Sequence, residues 1–195
     1  MINLLLQLWG GAFYLLNKFF FSRAERSLTF PAQQRQRLWA WISYLAGLPP
    51  WVIIFVTEHN WIAAAVETSG VPAMLMGLNH ARQGQSQLQA HPWLDRLARV
   101  MVFIGLTLSL YDFGGITTLN QWLELGVATG FLLGTYWLAK ERPQGYFWLI
   151  VGNVTAALLM MKQGYFLLMM QQLTSLGFVF DAYWTQRQRI KKGMG

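Results

Sequence analysis

Glu67, Asn153 and Gln171 stand out because each polar side chain interrupts a long apolar run, where hydrocarbon would offer it no water. An unpaired carboxylate at the depth expected for Glu67 costs about 2.5–3.5 kcal/mol on insertion scales, so the residue needs a use. It could bind substrate hydroxyls, accept a proton, or pair with a basic group from another helix. The competing use is structural, a hydrogen bond to Thr68, Ser69 or a neighbouring helix. Asn153 follows Gly152, and its amide can both donate and accept, which suits a base amide or a ribose hydroxyl. Helix–helix adhesion is the alternative. Gln171, Ser175 and Phe178 recur at helical spacing with Asp181 one turn further, a stripe expected to face a polar pathway. Gln172 points about 100° away and is expected to pack on another helix.

Aromatic residues form a second set. Trp9, Trp39, Trp61 and Trp184 fall where apolar runs end, as expected of interfacial anchors. Trp41, Tyr44, Trp122, Tyr136 and Trp148 lie deeper, and stacking a planar ring on such residues is worth about 0.5–1.5 kcal/mol beyond area burial. Ordinary bundle packing is the other reading of each. Pro49-Pro50 is expected to kink its helix, and Met160-Met161 and Met169-Met170 to fill apolar gaps. His59 and His91 read as loop residues and His80 as a helix-end residue, all solvated, with no metal-ligand spacing. The chain has no Cys, which excludes disulfides, thiolate metal sites and a Cys nucleophile. No P-loop, dinucleotide fingerprint, nucleophile elbow or zincin motif is present. No cofactor, metal or enzymatic activity is therefore expected.

The elements that must position these residues are membrane helices. Of 195 residues, 54% are hydrophobic and only 12% charged, about half the charged share of a soluble domain. A span needs about 20 mostly apolar residues. The candidates are 2–21, 38–57, 61–79, 97–113, 117–138, 144–161 and 165–184. In that reading fourteen of the fifteen Lys and Arg residues fall on one side, and Lys162 alone on the other. Cytoplasmic loops retain such charges, so the bias predicts an outside N-terminus and a cytoplasmic C-terminus. The net charge of +7 comes from short turns between apolar runs, which favours anionic lipid over nucleic acid as the partner. The N-terminus lacks a basic segment and a cleavage site, and reads as a retained helix rather than a signal peptide. The basic stretch from Arg187 to Lys192 reads as a cytoplasmic tail, able to dock a cytosolic kinase or simply to anchor the chain.

The two halves share a plan. Span two, the turn Glu58-His59-Asn60-Trp61, span three and a basic exit parallel span six, the turn Lys162-Gln163-Gly164-Tyr165, span seven and a basic exit. An offset of 104 residues pairs Trp61 with Tyr165 and Glu67 with Gln171. Span four then inverts the chain between two parallel three-helix repeats, residues 2–79 and 117–184, in a 3+1+3 all-α membrane fold with a tail over 185–195. This plan resembles the SWEET and PQ-loop superfamily. The stretches Trp148 to Asn153, Lys162 to Phe166, Gln171-Gln172 and Tyr183-Trp184 resemble the last two spans of PnuC-type vitamin transporters. The departures are Tyr146 and Leu149 at the two Trp positions of that family's Trp-x-x-Trp-x-x-x-Asn signature, with Trp148 out of register, and Glu67 at a family Gln.

The resemblance implies facilitated diffusion of a nicotinamide riboside-like vitamin precursor across a bacterial inner membrane, by a homotrimer. Glu67, Asn153, Gln171, Ser175 and Asp181 would supply polar contacts, and Trp41, Tyr44 and Trp148 would stack the ring. A carrier for a sugar or an organic cation, and a non-transporting membrane subunit that binds a protein partner, remain as alternatives.

Overall fold

A computed structural model describes residues 2–83, 92–112 and 118–192. His91, the Phe113-Gly114-Gly115 end of the fourth expected span and the last three residues of the tail lie outside the described residues. Within them the chain is all-helical without strands. The helices are α1 (Ile2–Arg26), α2 (Phe30–Thr57), α3 (Trp61–Ser69), α4 (Val71–Gln83), α5 (Pro92–Asp112), α6 (Leu119–Ala139), α7 (Gln144–Lys162) and α8 (Phe166–Lys191). Segments α3 and α4 form one broken helix, so seven helical runs are described. Four of these, Leu4–Arg26, Phe30–Thr57, Trp61–Gln83 and Gln144–Lys162, are long and apolar enough to cross a membrane.

Local chemistry sets the boundaries. Asn60 accepts from the Ala63 amide and starts α3. Thr118 and Gln121 form a reciprocal capping box at α6, satisfying two amides that would otherwise lack partners. Pro31 lies in the first turn of α2, where its missing N–H costs nothing. Pro49 and Pro50 lie inside α2, which continues through both. The break between α3 and α4 falls at Gly70-Val71-Pro72, directly after Glu67, Thr68 and Ser69. There Thr68 donates to the Ala64 carbonyl and Ser69 to that of Val66, so side chains take up carbonyls near the interruption.

Short turns make successive helices antiparallel. In the first half α2 lies between α1 and α3/α4; in the second, α7 lies between α6 and α8. The halves meet twice, through α1 with α8 and through α4 with α6, while α5 packs on α3, α4 and α6. Six helical runs thus close a ring, with α5 bracing one seam. Close approach depends on glycine at several crossings, of which two illustrate the point. A Cβ on Gly130 would lie 2.3 Å from the Gly152 nitrogen, so α6 and α7 meet backbone to backbone. A Cβ on Gly77 would lie 2.2 Å from the Trp41 ring, which fills that space between α2 and α4.

The two turns on the less basic end share one hydrogen-bond pattern. The amides of Glu58, His59 and Asn60 donate to the carbonyls of Ile54, Val56 and Phe55; those of Gln163, Gly164 and Tyr165 donate to Leu159, Met161 and Met160. Both turns pass through positive φ, 59° at His59 and 78° at Gly164. The match places the halves 105 residues apart, one more than the spacing read from sequence. Glu67 therefore pairs with Gln172, and Trp61 with Phe166. The basic stretch after residue 185, read from the sequence as a tail, is helical over most of its length. It continues α8 as far as Lys191, and Arg189 donates to the Ser27 carbonyl at the end of α1.

Candidate functional site

The ring encloses a cavity of about 200 Å³ at the middle of the helices. Its wall is formed by Tyr14, Leu15 and Lys18 of α1, Tyr44, Trp51 and Phe55 of α2, and Glu67 of α3. The second half contributes Val127 and Phe131 of α6, Asn153 of α7, and Gln171, Gln172 and Ser175 of α8. Both halves thus contribute, and the site exists only once the ring is closed. Tyr44, Trp51, Phe55, Glu67, Val127 and Phe131 also border a wider vestibule of about 820 Å³. The vestibule runs to Glu58, Asn60, Gln163 and Tyr165, so the cavity communicates with the end that carries the matched turns.

Polar groups in this cavity are held individually. Tyr14 donates a hydrogen bond to Glu67 Oε1. Asn17 donates to the Ala40 carbonyl at 3.0 Å, and its Oδ1 accepts from Lys18 Nζ at 2.9 Å, fixing the ammonium 4.7 Å from the Tyr44 ring centroid. Tyr44 and Thr135 share a hydrogen bond of 2.9 Å. Asn153 is fully buried; its Nδ2 donates to the Leu149 carbonyl at 2.7 Å, and its Oδ1 is buried without a donor among the described residues. Such an orphan acceptor is costly unless water or a ligand serves it. Gln171 reaches the Gly11 carbonyl at 3.4 Å. Tyr14 meets Tyr44 edge-on at 5.2 Å, giving the cavity a rigid aromatic flank.

Five of the eight residues singled out from sequence, Glu67, Asn153, Gln171, Tyr44 and Ser175, meet here. Three are elsewhere. Trp41 is buried, stacked on Tyr44 but beyond it, towards the basic end. Trp148 packs edge-on against Phe147 and does not line the cavity. Asp181 faces an outer cleft between α1 and α8, where it accepts from Ser22 and Arg26. Phe178 lines that same cleft, so the expected stripe on α8 divides between two surfaces. Gln172 does reach the cavity, contrary to the helical-wheel reading, because α8 presents an arc wide enough for both glutamines. Trp122 is exposed rather than deep, and Tyr136 donates to Asp95 at 3.0 Å near the helix ends. His80 is buried, with Nδ1 2.7 Å from the Ala139 carbonyl, and is not a solvated helix-end residue. Met161 and Met170 face outward rather than filling the core.

Sequence reasoning missed Tyr14, Lys18, Trp51 and Phe131. Lys18 was counted with the loop cations, yet it is only 5% exposed. The signal that could have found it is its position, five residues before Arg23 and still within an apolar run.

The basic end is closed beside Arg37, and the outer cleft of about 810 Å³ at Asp181 shares no wall residue with the cavity. Arg37 donates to Glu141 at 2.8 Å and to Glu25 at 3.1 Å, and Tyr146 donates to the same Glu25 oxygen at 2.9 Å. These residues link α1, α2, the α6–α7 turn and α7. The space left beside them is about 10 Å³, at the limit for a single water of about 10–15 Å³. A second lattice joins Asp95 of α5 to Lys140 at 3.0 Å and Arg99 at 2.9 Å. Burial pushes the Asp95 carboxyl up, but hydrogen bonds from Lys140 and Tyr136, with the Lys140 and Arg99 charges, outweigh it and hold the group below its usual range. Among the described residues there is no cluster of three or more His, Asp or Glu able to hold a metal ion.

No protein-family model, curated protein or solved structure matches this chain.

Proposed function

We propose that this chain is a membrane carrier for a small aromatic solute. The observation that carries the reading is the cavity itself. It lies midway along the helices, takes wall residues from both halves of the chain, opens towards one end and is sealed at the other. A carrier requires no covalent chemistry; it needs a central site and two bundles that rock about it to expose that site alternately. The ring seams α1–α8 and α4–α6 are the natural surfaces for such motion.

In this reading all seven helical runs cross the bilayer, as two parallel repeats joined by α5, with the N-terminus outside and the C-terminus in the cytoplasm. The charge bias and the matched turns support that orientation, and the sealed basic end then faces the cytoplasm. Tyr44, Phe131 and Trp51 would receive the ring, and Glu67, Asn153, Gln171 and Gln172 its polar substituents. The resemblance to PnuC-type transporters makes a nicotinamide riboside-like vitamin precursor the first cargo to try, in a bacterial inner membrane and a homotrimer. Uptake into proteoliposomes, measured with a panel of vitamins, ribosides and sugars, tests the proposal. It requires saturable uptake of at least one aromatic member that falls sharply in Asn153→Ala. Sealed vesicles of cooperatively melting protein that take up nothing would contradict it.

A further inference from the structure

The carrier reading leaves the charge of the cargo open, and the cavity addresses it. Lys18 is almost wholly enclosed, and among the described residues its Nζ has one hydrogen bond, to Asn17, out of the three an ammonium can donate. Its position over the Tyr44 ring, with Phe131 at 5.9 Å, stabilises a cation but provides no second acceptor. Glu67 is engaged at Oε1 by Tyr14, and its other oxygen has no hydrogen-bond partner among the described residues. These two ionisable side chains border the same cavity. They are not an ion pair: the ion pairs among the described residues all lie at the basic end of the bundle.

An amine and a carboxyl attract once both are charged, yet here each is held separately. Asn17, itself anchored to the Ala40 carbonyl, fixes one, and Tyr14 fixes the other. A cavity that holds an amine and a carboxyl in place, each with unused bonding capacity, matches a ligand bearing both signs. We propose that Lys18 and Glu67 form a two-point site for an amphoteric aromatic solute, with its anionic group on Lys18 and its cationic group on Glu67. The ring then lies beside Tyr44 and Phe131, and the free Asn153 oxygen accepts a donor from the solute. A neutral or singly charged ring leaves at least one buried charge unanswered, which is the unfavourable case for desolvated ions.

The inference rests on the carrier reading, and the experiment separates the two. Binding to the purified full chain and uptake into proteoliposomes are measured for tryptophan, tryptamine and indole-3-propionate, which share one ring and differ in charge. Nicotinic acid riboside and nicotinamide riboside form a second pair, differing by carboxylate against amide. The wild-type ranking needs no variant: within at least one set the zwitterion should bind about tenfold or more tighter than its singly charged relatives. In Lys18→Met the advantage of zwitterion over amine should disappear, and in Glu67→Gln the advantage of zwitterion over acid. If a neutral or singly charged member binds best in both sets, the two-point site is wrong and the carrier stands. If a zwitterion is preferred but Lys18→Met leaves that preference intact, the assignment of Lys18 is overturned. If no member of any panel binds or is taken up, both readings fail.

Discussion

At the basic end of the bundle, helix is tied to helix by charge: Arg37 between Glu25 and Glu141, Lys140 on Asp95, Arg26 on Asp181. At the other end the turns at 58–60 and 163–165 are satisfied by their own backbone, and a vestibule of about 820 Å³ separates the helices. The same seven runs reach both ends, so the difference lies in what their last turns carry. Ion pairs join elements that the backbone does not, whereas a turn that satisfies itself leaves its neighbours free. A cavity sealed at one end and open at the other is therefore written into where charge is placed, not into helix length.

Removing the lock at the sealed end should have the largest effect. Arg37→Met leaves Glu25 buried and without its cation, a change that costs about 3–5 kcal/mol for a broken buried pair. Thermal melting in detergent should fall accordingly, and a hydrophilic label should gain access to Ala81→Cys, placed beside Arg37 in that tight space. A melting point unchanged by the substitution would mean that the lattice does not hold the end shut. Next comes the ring itself. Gly130→Val drives a side chain into the Gly152 backbone and should cost about 1–3 kcal/mol or more through overpacking. Gly177→Ala, on a glycine with open space around its Cβ position, is the control and should melt like the wild type.

A smaller effect is expected at Asp95, whose partners Lys140 and Arg99 are partly exposed; solvent screening limits Asp95→Asn to about 1 kcal/mol or less. Its pH dependence has a defined sign. The folded carboxyl titrates below its unfolded value, so its contribution is present above the ordinary carboxylate range and fades as pH falls through the folded value. The melting difference between wild type and Asp95→Asn should therefore be constant at neutral pH and shrink below about pH 4. A difference that grew on acidification would reverse the assignment. Least affected should be Arg26→Gln. That guanidinium is largely exposed, and no measurable change in melting is expected.

Much of the site could be read from residue type alone, because a Glu, Asn or Gln inside an apolar run has few places to go. Glu67, Asn153, Gln171 and Ser175 reached the cavity for that reason. Aromatic residues carry no such constraint. Trp41, Tyr44 and Trp148 look alike in sequence, yet Tyr44 lines the cavity, Trp41 closes against Gly77 and Trp148 packs beside Phe147. A helix that is apolar all round does not announce which face it turns inward; only packing decides that. Lys18 was misread for a related reason. A Lys five residues before Arg23 looks like a loop cation in the sequence, yet α1 carries it into the interior. The offset behaves alike: aromatic residues align Trp61 with Tyr165 at 104, whereas the backbone hydrogen bonds of the turns align at 105.

The chain's lack of cysteine makes one measurement especially direct. Val127 borders both the inner cavity and the vestibule, so Val127→Cys places a lone thiol where the two meet. Labelling with a membrane-impermeant maleimide should succeed in right-side-out vesicles and fail in inverted ones, and a transported solute should slow it. Equal labelling from both sides, or none from either, would contradict a central site open at one end and sealed at the other.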